Sequence, residues 1–340
     1  MIDVSRYKTN DEIKIKAEFV TPAFLGGADK EAEFRVAPFK SGIRYWWRVL
    51  YGWQYGNDIK KIEDSIFGST DRVSSLRLKL TIPNEPKNCI SFEKLIGKKF
   101  KTTHQGHEIL LNILDYLAFG KCTYDKVLHE NKYSSYIKAD TSITLTLKIN
   151  NSEYSDQIKD AAKLFFKYGG IGGRSRNGFG SMFIKDGDYN FSKKVTVSNE
   201  LLEIPVISKK SKFFITSKKS ENWEDALSEV GIAYQSARTS LEKKHSFERR
   251  GLVARPIEAR NENIPLNIKK DRRPKTFYLG VQKTDDGFQG YIICLPIKFH
   301  EANKQNEYMK VYQEMTESFS QKLSDKTNEF LAEIAGKKND

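Results

Sequence analysis

The spacing of apolar and polar positions divides the first half of the chain into strands and helices. Polar and apolar residues alternate along EIKIKAEFVTPAFL, SSLRLKLTI and SITLTLKI, which predicts strands with one solvated face, and SMFIKDG follows as a fourth strand. Apolar residues recur at helical spacing in GIRYWWRVLYGW, where Ser41 fits the N-cap, and in SDQIKDAAKLFFKYG. The predicted order is β-α-β-β-α-β, with an insertion of helical spacing at about 94–128.

A second, looser copy of this pattern follows the Lys/Ser-rich segment SKKSK. It consists of a strand (FFITSKK), a helix (NWEDALSEVGIAYQSARTSLEKK), a long basic loop, a hairpin around TDDG and one helix (EYMKVYQEMTESFSQKLSDKTNEFLAEI). A final strand is expected to be missing or very short, because the chain ends in GKKND. The predicted fold class is α+β, with two tandem ferredoxin-like units and antiparallel sheets over residues 1–190 and 205–340.

Charge and cysteine usage narrow the class of partner. Fifty-seven Lys and Arg residues against 44 Asp and Glu give a net charge of +13, which favours a polyanionic partner such as nucleic acid, or an anionic membrane. The three cysteines lie far apart, which argues against a disulfide framework or a zinc ribbon. No signal peptide is recognisable, and no run approaches the roughly 18 apolar residues of a membrane span. A cytoplasmic location is therefore expected.

The stretch YGGIGGRSRNGFGS, from Tyr168 to Ser181, holds six glycines and two arginines. It follows a helix and precedes a strand, the reverse of a dinucleotide-binding fingerprint, and it contains neither a P-loop nor a nucleophile elbow. A helix C-cap needs only one glycine, and glycine in regular structure costs about 1 kcal/mol relative to alanine. We therefore expect bare main-chain N–H groups here to receive a polyanion, with Arg174 and Arg176 supplying positive charge.

The glycine spacing G-h-G-x5-G-h-G (h, apolar) resembles the glycine-rich loop of the RAMP superfamily of CRISPR proteins. TPAFLGGAD, FRVAPFKSGIRYWWRVLYG and IFGST resemble the end-of-filament subunit of Cmr-type (type III-B) CRISPR effector complexes. The resemblance covers most of the chain apart from the insertion. It implies RRM-like units and a non-catalytic subunit that contacts the 3′ region of the guide RNA, its target RNA or both in antiviral defence. The implied partners are these RNAs and other Cmr-type subunits, with no metal, small-molecule cofactor or membrane.

Three groups of residues are the expected RNA contacts. The first is a basic ridge on the Trp-Trp helix, for which a solvated face is the alternative; Ile43, Trp46, Leu50 and Trp53 of the same helix are predicted core, and Trp47 fits either side. The second is the glycine-rich loop at 169–181. The third is the loop at 243–275, with eleven Lys or Arg against four acids, either an RNA-binding arm or a disordered solvated loop. The candidates are Lys40, Arg44, Arg48, Gly170, Gly172, Gly173, Arg174, Ser175, Arg176, Gly178, Gly180, Arg249, Arg250, Arg255, Arg272 and Arg273.

Two other functions remain open at this point. Related RAMP endoribonucleases cut RNA without metal, commonly with a histidine or lysine near the glycine loop, so a metal-independent endoribonuclease acting on CRISPR RNA is the alternative. The five histidines lie outside the core motifs, and HQGHE is not a zinc motif, which favours surface roles for them. Asp29 suits a capped turn better than a metal-dependent cleavage site. A scaffold that contacts only protein neighbours is the third possibility.

Overall fold

Two four-stranded antiparallel sheets, one in each half of the chain, organise the fold. The computed structural model describes residues 11–336 except 28, 30, 105–106, 128, 151, 187–194, 243–247 and 255–274. The elements in chain order are β1 (Asp11–Phe19), α1 (Val36–Tyr51), α2 (Ile59–Phe67), β2 (Leu76–Thr81), β3 (Ile90–Ser91), β4 (Lys99–His104), β5 (His107–Asn112), α3 (Ile113–Leu117), β6 (Cys122–Asp125), β7 (Glu130–Tyr133), β8 (Tyr136–Ile137), β9 (Ser142–Ile149), α4 (Ser155–Tyr168), β10 (Met182–Asp186), β11 (Lys212–Ile215), α5 (Trp223–Ser240), α6 (Glu248–Val253), β12 (Phe277–Thr284), β13 (Gly287–Cys294), α7 (Gln305–Ser320), β14 (Ser324–Asp325) and α8 (Thr327–Ile334). The mixed helix and strand content and the antiparallel sheets agree with the predicted fold class.

The first sheet has the strand order β10-β1-β9-β2, and every neighbouring pair is antiparallel. Helices α1 and α4 contact each other and bury their apolar faces in the same core as the sheet. Trp46, Trp47 and Phe165 are almost fully buried there, so Trp47 belongs to the core. The alternation in the sequence predicts these strands correctly because it records which face of each strand is buried.

The second sheet has the order β12-β13-β11-β14, again antiparallel throughout. Strands β12 and β13 form the hairpin predicted around TDDG, with Thr284 paired to Gly287. The predicted single C-terminal helix is wrong, because β14 separates α7 from α8. The backbone of β14 pairs with β11, and the carboxylate of Asp325 accepts a hydrogen bond from the N–H of Thr327 at 2.9 Å. Both interactions favour a break in the helix, and the final strand is two residues long.

Two further elements differ from expectation. Helix α1 begins at Val36, five residues before Ser41, and runs through Pro38. Proline is tolerated in the first turn because its missing N–H would have no partner inside the helix. The insertion forms the hairpins β4–β5 and β6–β7 and only a five-residue helix, α3. Its apolar spacing therefore does not mark a long helix, since short apolar runs are ambiguous between helix and strand.

The glycine-rich loop joins the two sheets. The N–H of Leu279 in β12 donates to the carbonyl of Arg176 at 3.2 Å, and the N–H of Val281 donates to Ser181 Oγ at 3.2 Å. The insertion supports the loop from another side, because Asn177 Nδ2 donates to the carbonyl of Leu117 at 2.7 Å. The two predicted domains, 1–190 and 205–340, stay predictions. One buried cluster contains residues of both halves, so the halves pack against each other.

Candidate nucleic-acid interface

A groove of about 370 Å³ lies where the N-terminal part of α1, the glycine-rich loop and β12 meet. Its floor consists of buried apolar and aromatic side chains, and polar and apolar groups share its accessible surface. The lining residues are Pro38, Ser41, Gly42, Tyr45, Trp46, Tyr168, Gly170, Ile171, Gly172, Ser175, Arg176, Tyr278 and Leu279. The groove therefore brings together parts of the chain that lie more than 200 residues apart.

Arg176 is held in a fixed position at this groove. Its guanidinium carbon lies 5.3 Å from the ring centre of Tyr45 and 5.1 Å from that of Tyr278, and the two tyrosine hydroxyls are hydrogen-bonded to each other. Arg176 Nη1 also donates to the carbonyl of Lys275 at 3.2 Å. Cation–π contacts and one carbonyl use only part of the donor capacity of the guanidinium. The remaining N–H groups are available to an anion.

Further cations surround Arg176. Lys275 Nζ donates to the carbonyl of Arg176 at 3.0 Å and to Asn177 Oδ1 at 2.8 Å, and it lies 3.8 Å from the ring centre of Tyr234. Burial lowers the pKa of Lys275 well below its usual value, and the nearby guanidinium groups of Arg238, Arg176 and Arg174 lower it further. Within the described ranges, no carboxylate lies at ion-pairing distance from Arg174, Arg176 or Lys275. An anion bound among these three residues, called the cation cluster below, would supply the missing counter-charge and favour the protonated form of Lys275.

The main chain beside the cation cluster also offers donors. Gly172 and Arg174 have φ angles of 86° and 62°, and a left-handed conformation at a residue other than glycine is uncommon. Among the residues that the structure describes, none accepts a hydrogen bond from the N–H groups of Gly172, Arg174, Ser175 or Arg176. Successive N–H groups in such turns form anion-binding concavities. Bare main chain next to Arg174 and Arg176 is therefore present at these four residues, whereas the N–H of Gly173 donates to the carbonyl of Phe24 at 2.8 Å; RNA contact here stays a prediction.

The later glycines of the loop have a different role. Gly178 and Gly180 are buried and have φ angles of 94° and 70°. A Cβ atom at Gly180 would overlap the carbonyl oxygen of Ile171, and one at Gly178 would overlap the side chain of Leu227. Their N–H groups already donate to the carbonyls of Ser175 and Pro22. Close packing therefore explains these two glycines, contrary to the expectation that the whole stretch is exposed main chain.

Comparison with known proteins assigns this loop and its domain to a family. Residues 16–183 match the model of the RAMP superfamily. This half of the chain belongs to the RAMP superfamily. The chain is 27% identical over 177 residues to the CRISPR system Cmr subunit Cmr1-2 of Pyrococcus furiosus, which is 49% of this chain and 92% of that protein. It is also 27% identical over 175 residues to Cmr1-1 of the same organism, 50% of this chain but 43% of that longer protein.

Solved structures share the fold over 92% of this chain, which extends beyond the RAMP match. The crystal structure of Cmr1 from Pyrococcus furiosus in its apo form aligns with a TM-score of 0.52 at 16% identity, covering 92% of this chain and 97% of that one. A chain of the cryo-EM structure of the type III-B Cmr-beta bound to cognate target RNA aligns with a TM-score of 0.53 at 13% identity, covering 92% and 100%. At these identities the likeness concerns the fold.

The basic ridge on the first helix of the RAMP domain is neutralised within the protein. The carboxylate of Glu63 in α2, which is 3% exposed, accepts hydrogen bonds from both Arg44 and Arg48, including Arg48 Nε at 2.9 Å. Arg44 also pairs with Asp64 at 3.1 Å. Lys40 is half-buried, and burial, followed by the charge of Arg44, lowers the pKa of Lys40. Phosphate contact by these residues stays a prediction, and Arg44 and Arg48 already serve to attach α2 to α1.

Replacement of Glu63 by glutamine is expected to destabilise the RAMP domain. The substitution removes the negative charge that compensates Arg44 and Arg48, and breaking a pair with one buried partner costs several kcal/mol. Because both arginines are partly exposed, we expect a loss of about 2 kcal/mol in unfolding free energy. Urea denaturation followed by circular dichroism measures it. The exposed pair of Glu314 with Arg249 provides the control, since Glu314→Gln should change stability little; an equal loss in both variants would contradict the role given to Glu63.

The predicted basic arm is only partly described. Arg250 is 7% exposed and donates to the carbonyls of Thr239 and Glu242 at 3.1 and 2.6 Å. Arg249 pairs with Glu314 at 2.6 Å. Arg250 thus fixes α6 to the end of α5, and the charge of Arg249 is paired at the protein surface. Arg255, Arg272 and Arg273 lie outside the described residues, but Lys275, where the description resumes, is a member of the cation cluster.

Sequence reasoning missed the aromatic pair at the groove and the individual importance of Lys275. Tyr45 and Tyr278 carry no motif of their own, and only the fold brings them together. Lys275 lay within the predicted basic loop, so its charge was the available signal. No group of three or more His, Cys, Asp or Glu residues within the described ranges could hold a metal ion. No helix there is long and apolar enough to cross a membrane.

Proposed function

We propose that this chain is a non-catalytic RNA-binding subunit of a type III-B CRISPR effector complex. It contacts the 3′ region of the guide RNA, its target RNA or both, beside other Cmr-type subunits, in antiviral defence. The observation that carries the proposal is the cation cluster at the RAMP glycine loop, next to main-chain N–H groups that no described residue uses. Phosphate oxygens are the acceptors that such an arrangement binds. The relation to Cmr subunits supports the complex in which it acts.

The same proposal includes the finer description of the fold as two ferredoxin-like units, at about 1–190 and 205–340. Each four-stranded sheet has its first strand in the centre, between the fourth and third strands of its unit, with the second strand at the edge. Helices lie between the first and second strands and between the third and fourth strands of each unit. This arrangement supports a shared β-α-β-β-α-β topology, and the groove lies between the two units.

Binding of single-stranded RNA by the purified chain tests the proposed function. We expect fluorescence anisotropy to show binding at low salt that weakens as salt is added, with a slope of about −0.7 in log K against log salt for each neutralised phosphate. Absence of binding at low salt, together with co-purification of protein neighbours only, would favour the scaffold. Crosslinking within a reconstituted complex distinguishes the guide from the target strand.

The alternative function, a metal-independent endoribonuclease, is tested with the same purified protein. None of the three histidines whose side chains the structure describes, His107, His129 and His300, lines the groove. Lys275, the lysine beside the glycine loop, has its Nζ hydrogen-bonded to the carbonyl of Arg176 and to Asn177 Oδ1. Incubation with repeat RNA in EDTA is therefore expected to leave the RNA intact. Discrete cleavage that is lost when a histidine is replaced by alanine would overturn the non-catalytic assignment and establish the endoribonuclease.

A further inference from the structure

The groove contains more than a phosphate needs. Its floor consists of buried side chains with apolar or aromatic surfaces, Trp46, Tyr168, Ile171, Tyr278 and Leu279. Its rim carries the fixed guanidinium of Arg176, the hydroxyl of Ser175 and the backbone of Gly172, and Ser41 lies at its mouth. A phosphate group satisfies only the polar rim, and it would leave the apolar floor without a partner.

Size and polarity together indicate the missing ligand. The volume of about 370 Å³ lies near the lower end of the range for small-molecule pockets. An unpaired nucleotide has one flat, largely apolar part, the base, and one anionic part, the phosphate. RNA-binding proteins receive such bases on aromatic side chains or on the plane of an arginine guanidinium. Arg176, whose guanidinium carbon lies within about 5 Å of two tyrosine ring centres, lines the groove and can offer such a surface.

We infer that this groove holds one unpaired nucleotide of the RNA strand. The base packs beside Arg176 on the part of the floor that Trp46, Tyr168 and Ile171 form, and its phosphate lies at the rim, near the N–H groups of residues 174–176. The inference rests on the proposed function and deepens it, since it assigns a base-binding pocket to a site so far described only by charge. A base that is paired in a duplex cannot enter, so the groove makes the protein selective for single strands.

Blocking the mouth of the groove tests the inference without touching the cations. Ser41 lines the groove, is exposed and lies on the outer face of α1, so Ser41→Trp fills the entrance and leaves Arg174, Arg176 and Lys275 in place. Anisotropy titrations compare a single-stranded RNA with a duplex of the same sequence and length. Loss of one base contact corresponds to roughly 1–3 kcal/mol, so we expect about a tenfold lower affinity for the single strand and unchanged affinity for the duplex. Thr70→Trp, which places the same side chain at an exposed position that does not line the groove, should match the wild type on both.

Each outcome bears on the inference in one direction. Preference of the wild type for the single strand, lost in Ser41→Trp, supports the pocket. An equal loss on both RNAs, no loss on either, or no initial preference would overturn it while RNA binding itself stands. If the wild type binds neither RNA at low salt, both the proposed function and the base-binding pocket are wrong. Circular dichroism and thermal unfolding verify that Ser41→Trp is folded, as expected for an exposed position.

Discussion

Charge reversal of Arg174 and Arg176 to glutamate in one variant is expected to lower the affinity for single-stranded RNA by about 100-fold or more. Hydrogen bonds to charged groups contribute roughly 1.5–3 kcal/mol each, and two of them correspond to at least two factors of ten in the dissociation constant. The reversal also places negative charge beside the free main-chain N–H groups of the loop. Because two phosphate contacts are lost, the salt dependence should become shallower by about 1.4 in log–log slope. Anisotropy titrations over a series of salt concentrations measure both effects.

A control variant with the same change in net charge separates the groove from a general effect of charge. Arg77 and Lys79 are exposed on β2, the edge strand opposite β10 in the first sheet. Arg77→Glu with Lys79→Glu should therefore lower RNA affinity only slightly, through the long-range field. Equal losses in the two double variants would show that net charge alone attracts RNA. Unchanged affinity after reversal at Arg174 and Arg176 would remove the cation cluster from the binding site.

The local pattern of the sequence predicts those parts of the fold that depend on local physics. Strands β1, β2 and β9 and the hairpin of β12 and β13 follow from alternation and turn residues, which act within a few positions. The final strand is expected to be missing or very short, and the pattern could not place β14 because two residues become a strand only through pairing with β11, more than 100 residues away. Helix α1 begins before Ser41 because tertiary packing of Phe39 outweighs the N-cap preference.

The candidate site divides in the same way. Glycine spacing and flanking arginines located the loop, and charge located Lys275 within a basic segment. Sequence alone could not show that Glu63 neutralises Arg44 and Arg48, since this requires the packing of α2 on α1. Sequence alone also could not predict that Tyr45 contacts Tyr278, because the two residues belong to different halves of the chain and meet only in the folded protein. A site built at such a boundary has no continuous sequence signature.

The glycine-rich loop thus combines two requirements that the sequence pattern does not separate. Gly172 allows a turn that leaves main-chain N–H groups free, whereas Gly178 and Gly180 allow the loop to pack beneath neighbouring atoms. The second requirement supports the first, because the carbonyl of Gly180 accepts the N–H of Ile171 in the floor of the groove. Packing at Gly178 and Gly180 therefore holds residues 172–176 in the conformation that exposes main-chain N–H groups and positions Arg176.

Replacement of Gly180 by alanine is accordingly expected to destabilise the protein strongly. Alanine pays roughly 1–2 kcal/mol for the left-handed conformation, and its Cβ would overlap the backbone carbonyl of Ile171, which cannot move without shifting the loop. Forcing atoms into a packed site adds roughly 1–3 kcal/mol. We expect a total loss of about 3 kcal/mol in unfolding free energy, measured by urea denaturation followed by circular dichroism.

Gly56 offers the matched control for this substitution. It also has a positive φ angle, 50°, but a Cβ atom there would meet nothing within 4 Å. Gly56→Ala should therefore show the conformational cost alone, about 1 kcal/mol, and the difference between the variants measures the packing of Gly180. If the two variants were equally stable, close packing would not explain Gly180. That result would mean that the loop moves to relieve the clash with Ile171. Gly180 would then be explained better by the close approach of RNA, as the sequence analysis expects.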